Sequence, residues 1–130
     1  MADRTVKSTI GASKRGRKSR QELSLDTGEV TIPVGAVAQI TSDPVKRAFV
    51  PEYLRVESPG LWSISHFQVD GQTVAKGHFS GWRFERGRRT SLSKIGVPPL
   101  RRGQQLGLIV HYHGYAKFGR PFRGAIEGCT

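Results

Sequence analysis

The sequence predicts an all-β fold: an antiparallel β-sandwich of about eight short strands, a single jelly roll, preceded by a flexible basic N-terminal arm. Three observations predict it. Apolar and polar residues alternate with period two in several short runs, and no run keeps a helical period for three turns. Turn-formers separate those runs, with 16 Gly and 7 Pro in 130 residues. The first 20 residues, beyond Val6 and Ile10, hold almost nothing that could join a core.

Residues 1–28 are the expected arm and residues 29–130 the expected jelly-roll domain. The arm is rich in Ser, Gly, Lys and Arg, so it buries too little apolar surface to offset the entropy of ordering it. From Glu29 the pattern changes. Val30, Ile32, Val34, Ala36, Ala38 and Ile40 share one parity, a strand with its apolar side inward. Pro33 cannot donate to a ladder, which marks an edge or a kink there. Ser42-Asp43-Pro44 reads as a turn, and Phe49–Glu57 as a strand with Leu54 and Val56 inward and Arg55 and Glu57 outward. Within Leu61–Val69, Trp62 and Ile64 share one parity and Phe67 and Val69 the other. That switch predicts a bulge near Ser65-His66.

Asp70-Gly71 is the strongest hairpin signal, turning this strand into the one beyond it. Trp82 and Phe84 are expected on a shared face, Gly96–Pro99 as an extended lead-in, and Phe122–Ile126 as a short final strand. The most secure element is the stretch Gln104–Tyr115. Leu106, Leu108, Val110 and Tyr112 alternate there with Gly107, Ile109, His111 and His113, as a central strand requires. An OB-like barrel is the rival architecture, but five strands suffice for it and this chain has more.

Composition removes several function classes. No apolar run approaches the roughly 20 residues of a membrane-spanning helix, and the N-terminus lacks an apolar signal core. The single Cys129 cannot build a disulfide framework or a zinc set. The formal net charge is +11. Residues 1–20 carry seven basic groups against Asp3, a net of +6, and residues 21–130 carry fourteen against nine, a net of +5. Such a field implies an anionic partner: nucleic acid, an anionic lipid surface or an acidic protein. The candidate anion-binding residues are Lys14, Arg15, Arg17, Lys18 and Arg20 in the arm, and Arg86, Arg88 and Arg89 in the run GWRFERGRR. Basic residues interleaved with aromatics, there and in YAKFGRPFRG, are the pattern that contacts phosphate while stacking on bases.

No catalytic constellation is expected. The carboxylates are scattered, Ser91 and Ser93 lack an elbow motif, and no phosphate-binding glycine motif is present. His111 and His113, two apart on a strand, have the spacing with which a cupin holds a metal, with His66 or His78 as possible additions. The acidic ligand four or five residues further on is replaced by Lys117 and Phe118, so no metal and no cofactor is expected.

The runs IPVGAVAQITSDP, FVPEYLRVES, LGLIVHYHGY and PFRGAIEG, behind a basic arm, resemble short structural proteins of bacteriophages with single-jelly-roll shells. The likeness covers about Val30–Gly128, in strand and turn text and without catalytic signatures. It implies a non-enzymatic virion (capsid) protein, made in the host cytoplasm, that assembles with copies of itself and other virion proteins. The arm would then face the shell interior and meet the genome or an anionic membrane. The alternative expectation is a monomeric nucleic-acid-binding β-barrel; a cupin-like metalloenzyme is a distant third.

Overall fold

A computed structural model describes residues 20–114 and 119–130. Seven strands form two antiparallel sheets: β1 (Arg20–Asp26), β2 (Val37–Thr41), β3 (Val50–Val56), β4 (Trp62–Val69), β5 (Gln72–Ser80), β6 (Leu106–Tyr112) and β7 (Arg123–Cys129). One sheet has the order β1-β7-β3 and the other β2-β6-β4-β5. The all-β sandwich expected from the sequence is the fold observed.

The pairing is nested. β1 pairs with β7, β2 with β6, and β4 with β5. β3 is bridged on its free edge by the segment between β5 and β6, through Tyr53 opposite Ser91 and Phe49 opposite Leu100. A full strand is missing there because the segment spends Leu92–Ile95 on one helical turn, α1, capped by the Ser91 hydroxyl and ended at Gly96 with φ 120°. Among the described residues seven strands therefore stand where about eight are expected.

The core lies between the sheets. Leu106, Leu108, Val110 and Tyr112 are all buried, as their shared parity required, and β6 is hydrogen-bonded on both sides. Trp62 packs between Tyr112 and Phe122, with ring centroids 4.8 and 5.1 Å away. β4 holds its bulge where the parity switches: the register slips between Ile64 and His66 against both neighbours. This keeps Ile64 and Phe67 both fully buried and turns Ser65 and His66 out together. The β4–β5 turn has positive φ at both Asp70 (50°) and Gly71 (82°), the requirement of the type I′ turn that suits twisted hairpins.

Three expectations are corrected. The expected arm ends at residue 28, but Arg20–Asp26 is a strand whose Leu25 is fully buried. Only residues 1–19 of the expected arm fall outside the described residues. The run from Val30 does not extend as one strand: Pro33 accepts from the Ala36 N–H across a turn with Gly35 at φ 77°. Ile32 and Ile40 are buried as predicted, whereas Val30, before that turn, and Val34, within it, stay exposed. Trp82 and Phe84 do not share a face, because Gly81–Phe84 is a 3-10 turn. Three residues per turn bring Gly81 and Phe84 inward together and leave Trp82 outside.

Candidate anion-binding site

The basic run GWRFERGRR forms a tethered loop at the free edge of β3. Its base is the 3-10 turn, started by the Ser80 hydroxyl accepting from the Trp82 N–H at 3.3 Å. Phe84 anchors it, buried against Phe67 and Phe79 with centroids 6.0 and 6.5 Å away. The loop then reverses: Arg88 N–H donates to the Glu85 carbonyl at 3.0 Å, with Gly87 at φ 92° between them. The Thr90 hydroxyl closes it by donating to the Arg83 carbonyl at 2.6 Å. Arg83, Arg86, Arg88 and Arg89 are all exposed on this loop.

Two of the arginines are propped on rings. The Arg83 guanidinium lies 5.4 Å from the centroid of Phe79, and that of Arg89 lies 5.2 Å from Tyr53. Arg88 is 3.5 Å from the Glu85 carboxylate. Arg86 has no carboxylate partner among the described residues, and it borders two adjoining depressions of about 810 and 250 Å³. Trp82 lines the larger one, 54% exposed, its ring lying over Gly60 with no room there for a Cβ. Glu22, Glu57, Glu85 and Glu127 border the same depressions. Glu22 and Glu127 are already held by Arg55 at 3.2 and 3.1 Å. The loop thus offers a flat aromatic face and, in Arg83, Arg86 and Arg89, cations without a carboxylate partner among the described residues, which is what a phosphate chain with bases requires.

The sequence-predicted residues part company here. Arg86, Arg88 and Arg89 are brought onto one loop. Arg20 belongs elsewhere: it opens β1 on the outer face of the three-stranded sheet, bonded to Glu52 and 3.6 Å from Glu127. The hydrogen bond to Glu52 raises its guanidinium pKa further above the usual range. Lys14, Arg15, Arg17 and Lys18 lie outside the described residues, as does Phe118 of the second aromatic-basic run. Tyr53 and Phe79 were not singled out in advance. Tyr53 had no local signal, since it meets Arg89 only through the bridge to Ser91.

Three of the four histidines hydrogen-bond to serines on the outer face of the four-stranded sheet, and His78 is not among them. His111 Nε2 is 2.9 Å from the Ser65 hydroxyl, which also meets His66 Nδ1 at 2.7 Å, and His113 Nε2 is 2.7 Å from Ser63. The two cupin-spaced imidazoles therefore address different serines, and the β4 bulge is what supplies Ser65 to two of the three rings. Among the described residues no three His, Cys, Asp or Glu side chains are grouped to hold a metal ion. No helix is long and apolar enough to cross a membrane among them. No family model, no curated protein and no solved structure matches this chain.

Proposed function

We propose that this protein is a structural subunit of a virion shell, a jelly roll that assembles with copies of itself and binds a polyanion through basic surface groups. The observation that carries the reading is the nested pairing of strands: first with last, second with next to last, and the innermost two as a hairpin. An antiparallel hairpin of that kind, wound around a core, is how a jelly roll is wired. The bridged segment beside β3 stands in for the eighth strand. The residues quoted for the phage-protein resemblance support the same reading. So do Val30, Val34 and Val37, which are 69%, 38% and 56% exposed in β2 and the segment leading into it and would be covered by a neighbouring subunit.

The monomeric nucleic-acid-binding barrel is favoured by one observation, the Trp82–Arg86 surface, which needs no assembly to bind a strand. Light scattering on the full chain, with and without nucleic acid, separates the two. A multi-subunit particle of discrete mass is expected. A mass of 14.3 kDa for the protein alone, rising with nucleic acid only to that of one subunit on one oligonucleotide, would overturn the shell reading and leave the barrel.

A further inference from the structure

Lys46, Arg47, Arg101 and Arg102 come from two loops more than 50 residues apart in sequence, and the fold zips those loops together. Val45 N–H donates to the Gln104 carbonyl at 3.0 Å, and the Val45 carbonyl accepts from Gly103 N–H at 2.8 Å. Phe49 and Leu100 exchange two further backbone bonds of 2.9 and 2.7 Å. Each pair of cations is thus fixed next to buried anchors: Val45 and Phe49 on one loop, Leu100 on the other. The second loop is a tight turn. Gln104 N–H donates to the Arg101 carbonyl at 3.0 Å, Gly103 has φ 90°, and Arg102 occupies the projecting corner.

All four side chains are exposed, and none has an ion-pair partner among the described residues. Asp43 and Glu22 border the depression beside Lys46 and Arg47 without forming a salt bridge to either. Four exposed cations on two loops joined by backbone hydrogen bonds, with no carboxylate in ion-pair contact among the described residues, repel one another unless an anion lies between them. From here the basic surface continues along the edge of β3: the bridging segment runs from Leu100 back past Lys94 to Ser91, where Arg89 and Arg86 begin. Phe49 to Tyr53 is four residues of strand, roughly 13 Å at about 3.3 Å per residue.

We propose that the Lys46-Arg47 and Arg101-Arg102 loops form a phosphate clamp for a nucleic-acid backbone, the far end of a rail that leads to Trp82. A strand laid on the rail meets two cation clusters separated by a few phosphates and ends on an exposed ring able to stack with a base. A lipid surface is disfavoured by the loop tips: Ala48, Gly103 and Gln104 offer nothing large and apolar to insert beside the cations. The clamp deepens the polyanion-binding part of the proposed function and is independent of whether subunits assemble.

The test uses the full chain and a fluorescent single-stranded oligonucleotide, in K46Q/R47Q, R101Q/R102Q and the quadruple variant, over about 50–200 mM salt. Each double variant should bind at least severalfold more weakly at about 100 mM salt. The slope of log affinity against log salt should shrink by about 0.7 for each cation that met a phosphate, so by up to about 2.8 in the quadruple variant. Circular dichroism melting and light scattering, run alongside, should match wild type; that separates loss of the clamp from loss of folding or of assembly. Affinity and slope unchanged in the quadruple variant would overturn the proposal. So would loss of binding to phosphatidylserine vesicles with oligonucleotide binding intact, which would assign the loops to a membrane.

Discussion

At the scale of single residues the instructive side chain is Ser42, a polar group that is 3% exposed. Its hydroxyl accepts from Leu106 N–H at 3.0 Å and donates to the Asp43 carbonyl at 2.9 Å, while its own N–H donates to the Leu106 carbonyl at 2.8 Å. It thus completes the ladder where β2 ends and β6 begins. Ser42→Ala would keep the shape and leave a buried N–H without its acceptor, which costs about 1–3 kcal/mol. Urea unfolding at an unchanged m-value is the measurement, and a loss below about 0.5 kcal/mol would show that the hydroxyl has no such role. In sequence Ser42 reads only as the first letter of a turn. Its partner lies 64 positions further on, beyond the reach of any local pattern.

At the scale of elements, legibility followed the density of apolar signal. β6 was readable because four large apolar side chains recur at one parity, and the β4 bulge because the parity visibly changes. β1 was not, because RQELSLD has only Leu23 and Leu25 to mark it among residues otherwise typical of a tail. What makes it a strand is β7, against which all seven of its residues are in register from Arg20 opposite Cys129 to Asp26 opposite Arg123. Two deletions distinguish a tail from a strand. Removing residues 1–19 should leave the β-sheet circular dichroism and the melting temperature close to wild type, while weakening polyanion binding through the loss of Lys14, Arg15, Arg17 and Lys18. Extending the deletion through Asp26 strips one side of β7 and removes buried Leu25, so the melting temperature should fall by many degrees. Equal melting of the two truncated proteins would mean that β1 adds nothing to the sandwich.

For the whole molecule, the two sheets divide the charge. The strands of the four-stranded sheet contain no Asp or Glu, whereas the other sheet carries Glu22, Asp26, Glu52 and Glu127 among its arginines. The sequence shows the total of +11 but not this division, since strands adjacent in space are distant in the chain. Assembly, if it covers one of these faces, also alters what a core defect costs. Leu108 is fully buried, and Leu108→Ala should cost the free subunit roughly 2–5 kcal/mol. In a particle, folding is linked to subunit association by mass action, so the assembled variant should lose less apparent stability than the free one. Scanning calorimetry over a range of protein concentrations would show this as a concentration-dependent melting temperature; one that stays constant would count against assembly. The nested pairing has a further consequence for the order of events in the cell. β1 leaves the ribosome early, but the strand it pairs with among the described residues begins at Arg123, and β3 waits for the same strand. At about 5–20 residues per second, that leaves β1 unpaired for roughly 5–20 s of translation and the β7-facing edge of β3 for roughly 3–13 s. The hairpin β4–β5 can close at once. The nascent chain therefore matures from its middle outward, with its two most distant strands joining last.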